Sequence, residues 1–286
     1  MDIALEILIE ELIDIIKAKA GDKFESVIAQ LREIGAPAYE LLCLSLKNSN
    51  EFEGQYLLDA IIAIGNPIVP YLLKILPDVS GMTMSYIIYA FGELKDESTI
   101  DVIKKAFNDG DAQVKYAALQ TIDKFYKPEF DIILYKALND TNTEIRSQAA
   151  GILGNLKCNL ALDALTVMTG DPDPGIRAVA ARALGKLNEK QGFDAIIKLL
   201  DDPVIIVSSA ACLALGETGN PEFIENIKKM LVHKSEIVRM AAIKALGRMH
   251  SPQAIDELKI CINDDNEQIR ELTKKVIYFL DNLKRQ

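Results

Sequence analysis

Asn142-Thr-Glu-Ile-Arg-Ser-Gln-Ala-Ala-Gly-Ile-Leu-Gly-Asn-Leu156 is the stretch whose spacing settles the fold. Ile145, Ala149, Ile152, Leu153 and Leu156 recur three and four residues apart, which makes one face of a helix apolar. Thr143 beside an acid supplies the start, and the Gly154-Asn155 step supplies the stop. A few residues later, Leu160, Leu162, Leu165, Val167 and Met168 place apolar residues on a second helix. So short a link turns the second helix back along the first. The stretch is a helical hairpin.

Outward from Ile145-Arg146, the same dipeptide position returns every 31 residues as Val114-Lys115, Ile176-Arg177, Val207-Ser208, Val238-Arg239 and Ile269-Arg270. A fixed period of this length marks a solenoid, in which each unit buries its apolar face only against its neighbours. Alanine pairs at 117–118, 149–150, 180–181, 210–211 and 241–242 let neighbouring helices approach closely. Gly92, Gly154, Gly185, Gly216 and Gly247 fall near the end of each first helix and are expected to terminate it. Pro128, Pro221 and Pro252 open the second helix, where a missing N–H costs nothing.

Before residue 83 the period loosens, although Gly35 with Pro37 and Gly65 with Pro67 repeat the hairpin at shifted spacing. The expected fold is all-α, an α-α superhelix of about eight hairpins between capping helices over residues 2–19 and 266–283. It is expected as a single solenoid over 1–286: a cap in 1–23, irregular repeats in 24–82, regular repeats in 83–265 and a closing cap in 266–286. The wide apolar arc of Leu5, Leu8, Ile9, Leu12, Ile13 and Ile16 reads as a cap lying on the first hairpin, with a dimer contact as the alternative.

A net charge of −10 argues against tight binding to phosphate backbones. The charge is uneven: residues 1–80 carry 13 acids and 6 bases, residues 173–286 carry 16 acids and 17 bases. The four cysteines lack metal-ligand spacing and read as free thiols in a reducing cytoplasm. Glu10, Glu11 and Asp14 break the opening apolar run, so it is not expected to span a bilayer.

Asp171-Pro172, Ile176-Arg177, Ala183-Leu184-Gly185 and Asp201-Asp202-Pro203 resemble the HEAT repeat family, in the short HEAT-like form of phycobilisome lyases. The resemblance covers roughly residues 24–283. It implies the fold and leaves function open among scaffolds, adaptors, lyase subunits and a few enzymes. It also implies an Asp/Arg ladder, and Asp109, Asp140, Asp171, Asp202 and Asp264 each stand six residues before Lys115, Arg146, Arg177, Ser208 and Arg270. His233 takes the acid's place ahead of Arg239. Pairing each base with the acid of the next repeat joins Lys115 to Asp140, Arg146 to Asp171, Arg177 to Asp202 and Arg239 to Asp264. The two missing residues, Ser208 and His233, then share one broken rung.

Enzymatic chemistry finds little support. A di-iron hydroxylase of the family uses His-Glu pairs, whereas His233 precedes Lys234 and His250 precedes Ser251. The chain has no tryptophan, on which the HEAT-like DNA glycosylases rely, and no Gly-rich phosphate loop. No metal or cofactor is expected.

What remains is surface, and by the resemblance second helices line the concave side. Asp101, Asp163, Asp194, Glu225 and Asp256 form one row there. Lys104, Tyr135, Thr166, Lys228 and Lys259 form another, and Lys105, Lys136, Lys198 and Lys229 a third. Favourable i,i+4 pairs are expected at Asp101–Lys105, Asp194–Lys198 and Glu225–Lys229. Twelve of the 18 Phe and Tyr residues lie between 52 and 135. Tyr89, Tyr116 and Tyr135 occupy registers that other repeats fill with polar residues, so they are expected on the surface as anchors. The function this favours is a non-catalytic cytoplasmic scaffold holding a protein partner. A phycobilin-lyase type of subunit is the alternative, and weak nucleic-acid contact through the last repeats a second one. No small-molecule ligand is expected.

Overall fold

The computed structural model describes residues 3–17 and 23–284, and among these no strand occurs. Eight hairpins stand between a leading and a closing helix. Two compact units divide the chain, Met1–Ile133 and Leu134–Gln286. The first holds α1 (Ile3–Lys17), α2 (Phe24–Ile34), α3 (Ala36–Asn48), α4 (Glu51–Ile64), α5 (Val69–Ile75), α6 (Gly81–Leu94), α7 (Ile100–Asp109) and α8 (Ala112–Lys124). The division falls within α9 (Asp131–Ala137). The second unit continues with α10 (Thr143–Asn155), α11 (Leu162–Met168), α12 (Pro174–Leu187), α13 (Lys190–Lys198) and α14 (Ile205–Glu217). It closes with α15 (Ile224–Lys228), α16 (Glu236–Arg248), α17 (Ala254–Leu258) and α18 (Glu267–Lys284).

The even-numbered helices from α2 onward open each hairpin, and inside each unit they pack on one another: α4 on α6, α6 on α8, then α10 on α12, α14, α16 and α18 in succession. From α5 onward the second helices are shorter than the first and begin or end in 3₁₀ turns, whereas α3 is a full α-helix longer than α2. Pro128 and Pro221 open such turns rather than the α-helices themselves. Asn142, not Thr143, caps α10, its side chain accepting from the N–H groups of Glu144 and Ile145. Asp111 and Asp173 cap α8 and α12 in the same register, and Val204 leaves α14 without a side-chain cap.

The glycine register does not end helices. Gly92, Gly154, Gly185, Gly216 and Gly247 are all helical, and each faces a residue 29 positions further on. A β-carbon at Gly92 would sit 2.8 Å from Thr121 Cα, at Gly154 2.7 Å from Ala183 Cα, and at Gly216 2.5 Å from Ala245 Cα. At Gly185 it would meet the Ala214 carbonyl oxygen at 2.7 Å. Backbone meets backbone there, which only glycine permits. In the first unit the Thr121 hydroxyl uses this proximity to donate to the Ile88 carbonyl at 2.7 Å. Left-handed caps stand three residues beyond, at Lys95, Lys157, Asn188, Gly219 and His250. Four of these five are not glycine, although the conformation costs other residues about 1–2 kcal/mol. Gly35 and Gly65 do cap their helices at positive φ, so the expected role holds in the first two hairpins.

Ile9, Leu12, Ile13 and Ile16 bury α1 against α2, α3 and α4, whereas Leu8 stays 42% exposed, so the arc is narrower than its sequence implies. The expected ends of that helix, residue 2 and residues 18–19, lie outside the described residues. Contacts offset by 31 residues also reach into the stretch read as irregular: Arg32 donates to the Ala63 carbonyl, and Lys47 pairs with Asp78 at 2.8 Å.

Candidate functional site

Two arrangements bear on function, and the first is a polar network between hairpins of the second unit. Arg177 Nε and Nη2 donate to Asp202 Oδ2 and Oδ1 at 2.8 and 3.0 Å. Arg239 binds Asp264 in the same two-pronged way at 2.8 and 2.9 Å, and Arg146 reaches Asp171 once, at 3.4 Å. Each arginine also donates to its own loop: Arg177 Nη1 to the Asp171 carbonyl at 2.9 Å, Arg239 Nη1 to the His233 carbonyl at 2.9 Å. Among the described residues Arg270 makes only these loop contacts. The carboxylates hold their loops in turn, Asp202 Oδ1 accepting from the Val204 N–H at 2.9 Å. Hydrogen bonds from Arg177 and Arg239 outweigh desolvation and hold the Asp202 and Asp264 carboxyls below the usual carboxylate range.

At the rung between α14 and α16, Ser208 is buried and donates to the Ile205 carbonyl. His233 keeps half of the acid's role, its Nδ1 accepting from the Ser235 N–H at 3.0 Å. Installing the missing pair, Ser208→Arg with His233→Asp, should raise urea resistance above the sum of the single substitutions by about 1–2 kcal/mol. Strictly additive effects would mean that the rungs are decorative.

Second-helix charges pair differently from expectation. Asp101 binds Lys104 at 3.3 Å, Asp256 binds Lys259 at 2.6 Å and Glu225 lies 3.8 Å from Lys228, all at i,i+3 rather than i,i+4. Residues three apart are neighbours on an α-helix as residues four apart are, and α17 passes into a 3₁₀ turn at Lys259. Lys228 also reaches Glu257 at 2.8 Å. Asp194 and Lys198 form no ion pair among the described residues, nor does Lys229. Ile132, Val167 and Ile260 interrupt the rows as exposed apolar side chains. Lys115 stands off this face, its ammonium 5.7 Å from the Phe107 ring centre.

The three tyrosines do not share one surface. Tyr116 on α8 is exposed. Tyr89 on α6 is half-buried beneath the Lys124 ammonium, 4.1 Å from the ring centre, and its hydroxyl binds that ammonium. Lys124 also pairs with Glu93; burial opposes its charge, but the hydrogen bonds to Glu93 and Tyr89 win and raise it. Tyr135 is half-buried, with its hydroxyl 3.0 Å from Cys158 Sγ.

The second arrangement is a groove of about 370 Å³ across α4, α6 and α8. Tyr86, Tyr89 and Tyr116 line it together with Gln55, Gln113, Gln120 and Asp59. Tyr86 is fixed by donating to the Glu51 carbonyl at 2.9 Å, and Gln113 lies 2.9 Å from Met82 Sδ. On α4, Phe52 stands 70% exposed, edge-on to Tyr56 at 5.1 Å. The groove thus belongs to first helices, away from the second-helix rows that carry Asp101 and Lys104. Sequence reasoning missed Gln55, Tyr86, Gln113 and Gln120. The signal was present, since Gln55–Tyr86, Met82–Gln113, Ser85–Tyr116 and Tyr89–Gln120 are each 31 apart.

No three His, Cys, Asp or Glu side chains converge as metal ligands among the described residues. Burial pushes the Cys43 and Cys212 thiols up to about 12 and Cys261 to about 11, so these behave as small apolar side chains. Cys158 lies in the turn before α11, not in a helix. Among the described residues no single helix is long and apolar enough to cross a membrane.

The HEAT repeats family matches residues 130–208 and 193–275, about half of the chain. No curated protein matches the sequence. Of solved structures, YibA of Escherichia coli is similar at 17% identity and a TM-score of 0.62, over 92% of this chain and 97% of that one. An engineered protein is similar at 18% identity and a TM-score of 0.53, over 95% and 88%. The CpcE–CpcF complex of phycocyanin lyase from Nostoc aligns at 18% identity over 86% and 94%, with a TM-score of 0.45. Likenesses this distant speak to the fold alone.

Proposed function

Because the chain belongs to the HEAT repeat family, we propose that it is a non-catalytic cytoplasmic scaffold or adaptor that holds an extended segment of a protein partner on the α4–α6–α8 face. The groove carries this reading. Glutamine side chains offer a donor and an acceptor each, which matches the alternating N–H and C=O groups of an extended backbone. Tyrosine rings between them supply apolar contact at small entropic cost. Asp59, the carboxylate of this lining, favours a basic residue in the partner. The paired charges of the second helices satisfy one another and stand outside the proposed site, as does Tyr135. Free thiols, those of Cys43, Cys212 and Cys261 raised in pKa by burial, suit a reducing cytoplasm.

Selection of random-sequence peptides on the full chain tests the reading. Enriched peptides should lose at least about tenfold in affinity, or 1.4 kcal/mol, with Tyr116→Ala or Gln113→Ala. They should be indifferent to Lys104→Ala and Lys228→Ala. Peptides sensitive only to the two lysines would move the site to the second helices and sink the proposal.

A further inference from the structure

Cations in this acidic chain are commonly held by acids, as Lys124 is by Glu93, Lys127 by Glu97 and Lys228 by Glu257. At the end of the second unit three are not. Lys244 and Arg248 of α16 and Lys275 of α18 converge, all exposed, on a pocket of about 350 Å³, and none makes an ion pair among the described residues, although Glu271 one turn before Lys275 feels its charge. Arg248 lies 31 residues after Glu217, the offset that joins Lys124 to Glu93, yet it makes no ion pair there and lines the pocket instead. Lys244 and Arg248 are four apart on one helix, a like-charge spacing that disfavours the helix unless an anion relieves it. The C-terminal dipole of α16 accounts for part of their stability. It does not account for Lys275, which lies in the middle of α18. Among the described residues no carboxylate lines the pocket. Its remaining walls are apolar or aromatic: Val276, and Phe279, 44% exposed and edge-on to the His250 ring at 5.5 Å.

We infer that this pocket binds a phosphate ester bearing a planar ring, a mononucleotide in chemical class. The three cations take the phosphates, and the Phe279 ring takes the base. The depression is open to solvent, so the ring lies against Phe279 rather than enclosed. The chain's net charge of −10 disfavours a long polyanion, which selects the free nucleotide over a nucleic acid. The site lies in the second unit, so it stands or falls independently of the tyrosine groove.

Calorimetric titration of the full chain with ADP, and separately with pyrophosphate, decides the matter at physiological ionic strength. ADP should bind in the micromolar range, and pyrophosphate about fivefold or more weaker because it lacks the ring. Arg248→Glu combined with Lys275→Glu should weaken ADP by at least about tenfold while circular dichroism shows the protein still folded. Phe279→Ala should bring ADP down to the level of pyrophosphate. No heat from ADP at millimolar concentration, or unchanged ADP affinity after charge reversal, overturns the assignment. Binding of single-stranded oligothymidine without binding of ADP overturns it too, by making the patch a polyanion surface.

Discussion

Alanine at Gly216 should lower the stability of the second unit by about 3 kcal/mol, although alanine is the better helix former. The added β-carbon would lie 2.5 Å from Ala245 Cα and 2.7 Å from its carbonyl oxygen, and neither atom belongs to a side chain that can rotate away. α14 and α16 must separate, which forfeits dispersion contacts along the whole of their interface. Two glycines of α10 provide a matched control. Gly154 faces Ala183 Cα at 2.7 Å, whereas a β-carbon on Gly151 would meet nothing within 4 Å. Gly154→Ala should destabilise, and Gly151→Ala should stabilise by roughly 0.5–1 kcal/mol through helix propensity alone. Urea titrations followed by circular dichroism give both signs. Stabilisation by both substitutions would show that the helices are not in backbone contact.

Removing the Arg177 side chain should cost about 3 kcal/mol. Arg177 and Asp202 are 14% and 8% exposed, so the deletion leaves a mostly buried carboxylate with only the Val204 N–H as a described partner. Lysine at 177 keeps the charge but loses the fork and the loop carbonyls, and should recover less than half of the loss. Acid titration gives a second readout. Arg177 and Arg239 depress the folded-state pKa values of Asp202 and Asp264. Their contribution is therefore present in full above the unfolded carboxylate value of about 3.9. It is lost as pH falls through the depressed folded values. Stability of the second unit should fall with pH below about 4, and less steeply in Arg177→Ala, where Asp202 returns toward its ordinary value. An unchanged acid slope would mean that the rung does not hold the carboxylate.

The period was readable because Ile/Val-Arg is fixed by side chain: the apolar residue enters the core, and the arginine must reach a carboxylate 25 residues on. Ser208 and His233 pointed to the broken rung for the same reason. Glycine was harder. Near a helix end it permits either a left-handed turn or a close neighbour, and only the position of the next helix distinguishes the two. Gly35 and Gly65 do the first, Gly154 and Gly216 the second. The true cap register, Lys95, Lys157, Asn188, Gly219 and His250, carries a composition signal only at Asn188 and Gly219, because tertiary packing imposes the conformation on whatever residue stands there. Arginine's second task, holding its own loop carbonyls, was equally hidden, since carbonyls carry no sequence identity. The groove was half legible: Tyr89 and Tyr116 stood out against polar residues elsewhere in their registers. Tyr86 and Gln55 did not: their 31-residue offset repeats a position, but spacing does not say which first-helix side chains face outward together. The basic pocket depends on α18 leaning across the end of α16, which spacing alone does not reveal.

The most direct test of recognition by the first-helix face is site-specific photo-crosslinking in cells making the full chain, with a photoreactive phenylalanine at position 116, 104 or 228. The expected result is a discrete protein adduct from position 116 and none from the two second-helix positions. Adducts from 104 or 228 with none from 116 would contradict it.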